Sequence, residues 1–105
     1  MRRFHIAIAT QDLAATIEDY TQRLGMEPTV VVPAAYALWR TDTLNFSVRQ
    51  DLACQPGNLR HLGWEDDTAE QMTADTDCNG IVWELFTAPQ QAVEIDEIWP
   101  EGQPH

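Results

Sequence analysis

The sequence predicts a small single-domain protein of the α+β class, and three observations lead to that prediction. An early run alternates between apolar and other residues, as a strand does, and is followed by one apolar stripe with helical spacing. Five further short runs, each with the composition of a strand, come after that stripe and are separated by turn residues. The chain has 105 residues, of which 44% are hydrophobic, so its length suits one domain and its composition is that of a folded protein.

The first 50 residues predict a βαβββ unit. Its first strand covers residues 4–9, which alternate so that His5 lies on the face opposite the large apolar side chains. The helix covers residues 13–24, with Asp12 as its N-cap and Gly25 as its left-handed C-cap. Three further strands are predicted at residues 28–32, 36–40 and 44–49.

The second half predicts a shorter unit. Residues 59–65 and 81–86 have strand patterns, residues 68–73 suit a short helical turn, and Asp-Cys-Asn-Gly at 77–80 is a turn signal. We therefore predict one domain over residues 1–89, made of a first module (1–50) and a shortened second module (58–89). Residues 90–105 are predicted to be an acidic tail.

The predicted tail contains three apolar residues that would not remain in solvent. They would dock either as a short helical turn or along a dimer seam; they are Ile95, Ile98 and Trp99.

Charge and composition exclude several classes of partner. The net charge is −11, from 17 acidic and 6 basic residues, so nucleic acid and anionic lipid would be repelled. No run approaches the ~18 apolar residues of a membrane span. The first apolar run is too short and too soon polar for a signal peptide, so we expect a cytoplasmic protein. The two cysteines, Cys54 and Cys78, stand 24 residues apart and predict neither a disulfide framework nor a thiolate zinc site.

Three polar strand residues carry the functional prediction. His5, His61 and Glu84 each lie mid-strand, on the face opposite the large apolar residues of that strand. Imidazole and carboxylate groups are common ligands of divalent transition metals. A single histidine in a strand is more often a hydrogen-bonded structural residue, and a carboxylate in an apolar strand is also satisfied by a protonated histidine.

This order of residues resembles the vicinal oxygen chelate superfamily, which includes glyoxalases, bleomycin-resistance proteins and dioxygenases. The residues that carry the resemblance are Phe4-His5-Ile6-Ala7-Ile8, Asp12-Leu13 with Tyr20 and Leu24-Gly25, His61-Leu62-Gly63, and the closing stretch Asn79-Gly80-Ile81-Val82-Trp83-Glu84-Leu85-Phe86. The resemblance implies a mixed curved sheet of paired βαβββ modules, with the helix on its outer face.

The resemblance also implies a metal site. A divalent ion (Fe, Ni, Mn or Zn) would be held by His5, His61 and Glu84, and the substrate would chelate it through two oxygens. Members of the superfamily often add a fourth ligand from the last strand of the first module. Ser47, with Asn45 beside it, occupies that position here, and we expect water to replace a protein ligand there.

Within the superfamily, residues 36–49 look most like the arsenic–carbon lyase and cadmium-induced branch. That branch is expected to combine a ferrous His-His-Glu site with a neighbouring pair of cysteines. Cys54 and Cys78 do not form such a pair in this sequence.

The second module departs from the superfamily pattern in length. Only 15 residues separate Glu65 from Ile81, whereas a full module needs a helix and two more strands there. We therefore expect the edge hairpin of this module to be missing and the two ligand-bearing strands to lie side by side. The exposed strand edge would need cover, which predicts a homodimer or docking of the tail.

Two function classes follow from these observations. The first is a metal-dependent lyase, isomerase or dioxygenase that acts on a small oxygen-rich molecule. The second is a non-catalytic dimer that binds a small ligand and keeps a vestigial metal site. The sequence also leaves open whether three tryptophans and three arginines line a ligand site, or instead pack in the core and pair with surface acids; they are Trp39, Trp64, Trp83, Arg40, Arg49 and Arg60. Glu65 is either a base on the His61 face or, with its acidic neighbours, a solvated residue.

Overall fold

A single mixed sheet organises the protein. The computed structural model describes residues 1–100 and contains seven strands and two helices within them. The elements are β1 (Arg2–Thr10), α1 (Leu13–Leu24), β2 (Val30–Val32), β3 (Tyr36–Arg40), β4 (Leu44–Gln50), β5 (Leu59–Asp66), β6 (Thr73–Thr76), β7 (Val82–Phe86) and α2 (Ala88–Ile98). The strand order is β2-β3-β4-β1-β5-β7-β6, so an open curved sheet joins the two modules through β1 and β5. The predicted α+β class is confirmed.

The first module has the predicted βαβββ order. The Asp12 side chain accepts a hydrogen bond from the amide of Ala15, and Gly25 ends α1 with a φ of 72°. These two contacts explain why α1 begins at Leu13 and ends at Leu24, as the sequence predicts. β1 then lies beside the last strand of its own module, β4, in parallel register.

The second module keeps one edge strand. Residues 68–73 do not form the predicted helical turn; the chain instead forms β6, which pairs antiparallel with β7 over Thr73–Thr76. β5 and β7 are parallel neighbours, as predicted for the two ligand-bearing strands. The module therefore lacks a helix and one strand of the expected set, rather than its whole edge hairpin.

A second helix occupies most of the predicted acidic tail. α2 begins immediately after Thr87, whose side chain accepts from the Gln90 amide while the Gln90 side chain accepts from the Thr87 amide. This capping box satisfies the first amide groups of the helix, and Pro89 suits its first turn because a proline there loses no hydrogen bond. The short helical turn expected at Ile95 and Ile98 is thus a helix of 11 residues. Residues 101–105 of the predicted tail lie outside the described residues.

The two helices cover opposite faces of the sheet. α1 packs on the outer face, where Leu13 joins the fully buried Ala37, Trp39 and Val48. On the inner face Ile95 of α2 packs with side chains of β2 and β3, namely Val30, Val32, Tyr36 and Leu38. None of the helices in residues 1–100 is long and apolar enough to span a membrane.

Candidate metal centre

The pairing of four strands brings the candidate ligands together. In register across the sheet, Asn45 of β4 lies beside His5 of β1, His5 beside Gly63 of β5, and Gly63 beside Glu84 of β7. Side chains in such a row point to the same face of a sheet. Gly63 has no side chain, so the row is open between His5 and Glu84, and His61, two residues earlier on β5, reaches into that opening.

Gly63 also allows β5 and β7 to approach each other closely. A Cβ atom at this position would overlap the backbone carbonyl of Glu84. The glycine of the His61-Leu62-Gly63 stretch is therefore required by the contact that positions the carboxylate of Glu84.

The three predicted ligands converge on one point. The Nε2 atoms of His5 and His61 are 2.9 Å apart, and His61 Nε2 lies 3.1 Å from Glu84 Oε1. One ligand atom from each residue lies within 4.8 Å of the others. The side chain of His5 is buried, whereas those of His61 and Glu84 are partly exposed, at 15% and 23%.

Asn45 fixes which nitrogen of His5 carries the proton. His5 Nδ1 lies 2.8 Å from Asn45 Oδ1 and 3.2 Å from the Asn45 carbonyl oxygen, and both atoms are acceptors. Nδ1 must therefore be the protonated nitrogen, and the lone pair of the neutral imidazole is on Nε2, facing His61. A hydrogen bond of this kind is the usual partner of a metal-ligating histidine, because it orients the ring and makes the ligand more basic.

The orientation of Asn45 depends in turn on two further side chains. Asn45 Nδ2 donates to Glu65 Oε1 and to Gln91 Oε1, at 2.8 Å each. A carboxylate oxygen only accepts, so the amide of Asn45 cannot turn over and present Nδ2 to His5.

Glu65 is the buried anchor of this network. Its carboxylate is 1% exposed and receives hydrogen bonds from Arg3 at 2.7 Å and from Arg40 at 2.6 and 2.8 Å. Burial alone would raise the pKa of Glu65, but the hydrogen bonds from Arg40, Asn45 and Arg3 outweigh it and lower the pKa to about 2. Glu65 is thus neither a catalytic base nor a solvated residue, the two roles that the sequence left open.

The protonation states of His5 and Glu84 suit metal binding. Burial is the main cause that lowers the pKa of His5, so its ring is neutral at neutral pH. Burial opposes ionisation of Glu84, but the hydrogen bond and charge of His61 outweigh it and lower the pKa of this carboxyl. Two imidazole nitrogens and one carboxylate are the donor set preferred by Fe, Zn, Ni or Mn.

The separations between the donor atoms also fit a metal ion. Two ligands that each bind a metal at about 2.1 Å and meet at a right angle lie about 3.0 Å apart. The separations of 2.9 Å between the two imidazole nitrogens and 3.1 Å from His61 to Glu84 are close to that value, and the third pair of ligand atoms lies within 4.8 Å. The residues present therefore fit the divalent metal that the resemblance implied.

A cavity of about 110 Å³ opens beside the three ligands. Its floor is the inner face of the sheet, including Ser47, and its wall is α2, which contributes Gln91, Glu94 and Ile98 among others. Burial and the charge of Glu84 raise the pKa of Glu94. Ser47 lies in this cavity as its strand pattern predicted, while Asn45, its predicted companion, is turned to His5.

Comparison with known proteins places this geometry in a family. The model of the Glyoxalase/Bleomycin resistance protein/Dioxygenase superfamily matches residues 2–98. The chain belongs to this superfamily. The match includes both modules and α2.

Two solved structures share the fold of this superfamily member. The structure described as the NAD-dependent benzaldehyde dehydrogenase from Legionella pneumophila aligns with a TM-score of 0.57 and 12% identity, over 80% of this chain and 97% of that one. Methylmalonyl-CoA epimerase from Mycobacterium tuberculosis aligns with a TM-score of 0.52 and 18% identity, over 85% of this chain and 89% of that one. No curated protein sequence matches the chain. At these identities the likeness concerns the fold alone.

The remaining predicted residues divide between packing and the cavity. Trp39 is fully buried and serves the core, whereas Trp64 and Trp83 are half-buried and pack around Phe4 with ring centroids 5.2 and 6.0 Å away, outside the cavity beside the metal ligands. Arg40 pairs with Glu65, whereas Arg49 and Arg60 line the cavity. Both cysteines are free.

The sequence analysis missed the residues that α2 supplies. Gln91 and Glu94 were assigned to a solvated tail, although Thr87-x-x-Gln90 with Pro89 is a helix-start pattern that would have placed them on a helix. Their direction toward the cavity depends on the packing of Ile95, which no local pattern shows.

Proposed function

We propose that this member of the glyoxalase superfamily is a metal-dependent enzyme, a lyase, isomerase or dioxygenase, that acts on a small oxygen-rich molecule. His5, His61 and Glu84 would hold the metal, with iron, nickel, manganese or zinc as candidates. The observation that carries the proposal is the hydrogen-bond chain from Glu65 through Asn45 to His5, which supports one ligand in its metal-binding tautomer. An amide and a buried carboxylate arranged in this way have no evident use around a histidine that serves only packing.

The protein side chains have separate tasks in this proposal. A bound divalent metal would act as a Lewis acid on a substrate oxygen. Asn45 and Glu65 keep the His5 ring in place, so that little reorganisation is needed when the metal binds. The wall of the cavity, α2, limits access of water to that face and carries Glu94, a carboxyl whose pKa is raised by burial and by the charge of Glu84.

Two observations favour a second candidate function, the non-catalytic ligand-binding protein. The second module lacks a helix and a strand, and the cavity of about 110 Å³ is smaller than the ~300–1,000 Å³ of ordinary ligand sites. A site of that size would bind a small ligand without enclosing a larger substrate.

Metal binding is the test of the proposal. Protein treated with a chelator and then dialysed against Zn²⁺, Mn²⁺, Ni²⁺ or, without oxygen, Fe²⁺ should take up one equivalent of at least one of these ions. His61→Ala and Glu84→Gln should lose that equivalent, because each removes one of three ligands. Glu70→Gln removes an exposed carboxylate of the β5–β6 loop and should bind metal as the wild type does. Stoichiometric uptake that survives His61→Ala would refute the proposed site, and absence of uptake would favour the second candidate.

Once metal is bound, turnover separates the two functions. Conversion of a small oxygen-rich compound by the loaded wild type, and not by Glu84→Gln, would support the enzyme. Stoichiometric metal with ligand binding but no conversion would support the non-catalytic protein.

A further inference from the structure

The arginines of this chain are distributed unevenly between ion pairs and the cavity. The six basic residues are all arginines, and 17 acidic residues are available to pair with them. Four arginines do so: Arg2 with Asp66, Arg3 and Arg40 with Glu65, and Arg23 with Asp19. Within residues 1–100, no carboxylate forms a salt bridge with either of the other two, Arg49 and Arg60, and both line the cavity beside the metal ligands.

The environment of these two guanidinium groups is unfavourable for cations without a ligand. Arg60 is partly buried on β5 and lines the same cavity as Arg49, so two positive charges share this partly enclosed space. The guanidinium of Arg49 lies over the Trp99 ring, 5.2 Å from its centroid, which holds it at the cavity wall. Glu84 and Glu94 act on Arg60 only from beyond ion-pair distance. Two positive charges that are close together and partly removed from water are stabilised by an anion bound between them.

The size of the cavity limits the anion. An engineered apolar cavity of about 150 Å³ holds benzene, which has six non-hydrogen atoms. The present volume of about 110 Å³ therefore suits a ligand of similar or slightly smaller size. A guanidinium matches a carboxylate with two parallel hydrogen bonds, and the metal ligands on the same inner face suit a second oxygen on the neighbouring carbon.

We propose that Arg49 and Arg60 form the carboxylate subsite of this cavity, and that the ligand is a small 2-oxo or 2-hydroxy acid. Its carboxylate lies against the two guanidinium groups and its second oxygen faces His5, His61 and Glu84. This inference rests on the proposed function for the second oxygen only; the anion subsite itself depends on the arginines. A bound metal would engage Glu84 and leave Glu94 as the remaining carboxylate that competes with the ligand for Arg60. The metal-loaded protein should therefore bind the acid more tightly than the metal-free protein.

Calorimetry with pyruvate and its neutral amide, pyruvamide, tests the inference. Metal-loaded wild type should bind pyruvate at least about tenfold more tightly than pyruvamide, because the amide has no negative charge and replaces one of the two acceptor oxygens with an NH2 donor. Arg49→Gln and Arg60→Gln should each weaken pyruvate binding about tenfold or more and leave pyruvamide binding unchanged. Arg60→Lys, which keeps the charge without the planar fork, should fall between them. Arg23→Gln removes an exposed arginine on α1 and should behave as the wild type does.

The outcomes separate this inference from the proposed function. Equal affinity for pyruvate and pyruvamide, with metal stoichiometry intact, would overturn the carboxylate subsite and leave the metal site standing. Pyruvate binding that needs both arginines, in a protein that takes up none of the tested metal ions, would support the subsite and refute the metal function. Equal affinity for inorganic phosphate at the same ionic strength would overturn the assignment to a carboxylate.

Circular dichroism before each titration confirms that a variant is folded. Because the two arginine-to-glutamine changes remove like-charge repulsion, we expect neither to lower the melting temperature. If one variant fails to fold, the other and Arg60→Lys still give a result that supports or overturns the subsite.

Discussion

The buried carboxylate of Glu65 should make the stability of this protein depend strongly on acid pH. Its pKa is lowered from an ordinary value of 4.5 to about 2 in the folded protein. Because the folded pKa lies below the unfolded one, the stabilisation is complete above pH 4.5 and is lost as the pH falls toward 2. A difference of this size corresponds to about 3 kcal/mol of unfolding free energy. That is a large part of the ~5–15 kcal/mol that stabilises a typical domain.

Glu65→Gln isolates this contribution. Glutamine has the same shape and can still accept the hydrogen bond from Asn45. It leaves Arg3 and Arg40 without their counterion, and these side chains reach solvent only in part, with exposures of 17% and 30%. We expect the variant to be about 3 kcal/mol less stable than the wild type at pH 7 and nearly equal to it at pH 2.

Urea denaturation followed by tryptophan fluorescence measures the effect between pH 7 and pH 2. A chelator in every sample removes metal binding as a variable. Glu70→Gln, an exposed carboxylate in a loop, should follow the wild-type curve at every pH. A stability difference between Glu65→Gln and wild type that stays constant across this range would show that Glu65 is not ionised against a lowered pKa, and would refute the reasoning.

Three further outcomes follow from the site and the fold. Gly63→Ala should lower the unfolding free energy measured in urea by about 1–3 kcal/mol or more and abolish metal uptake, because its Cβ would overlap the Glu84 carbonyl. The control Gly57→Ala, in a loop, should lower stability yet keep the metal. A Gly63→Ala protein with unchanged stability and metal uptake would contradict the packing argument. Asn45→Ala should weaken metal affinity about 10–100-fold in a competition titration, since it removes the partner of His5 Nδ1. Asn58→Ala, which removes an exposed loop amide, is its control. Equal metal affinities of Asn45→Ala and the wild type would mean that Asn45 does not set the tautomer of His5. The homodimer predicted from the sequence should have twice the chain mass of 11.9 kDa in light scattering. The exposed Val93 and Ile98 of α2 would provide an apolar surface for the partner. A monomeric mass at micromolar concentration would count against the dimer.

Strand alternation predicted the face on which His5, His61 and Glu84 lie, and the resemblance to the superfamily predicted that these three side chains meet. The period of two residues places His5, His61 and Glu84 on one face of their strands, and the order of parallel and antiparallel neighbours then aligns them. The local cap signals of α1 were equally informative, because Asp12 and Gly25 act within one turn of the helix they bound.

Long-range contacts account for most of what the sequence did not predict. Alternation put Glu65 on the correct face, but its acidic neighbours suggested solvent, and its partner Arg3 is 62 residues away. β6 is a strand without an apolar pattern, since Thr-Ala-Asp-Thr pairs with β7 through backbone hydrogen bonds and buries none of its side chains. For α2 the sequence predicts at most a short helical turn, because the acidic composition of residues 90–105 indicates a tail, whereas in the structure Pro89 lies in the first turn of a helix of 11 residues.

The polar character of β6 has a consequence for solubility. A module that loses a strand leaves an unpaired row of amides and carbonyls, and an apolar edge of that kind is a template on which other chains add strands and aggregate. β6 is only four residues long, all of them exposed, and Asp75 places a negative charge in the middle of it. A neighbouring chain would have to approach that charge on a molecule with a net charge of −11. The shortened module therefore resists the addition of strands at the β6 edge of the sheet, and a partner subunit at that edge would have to associate through side-chain packing.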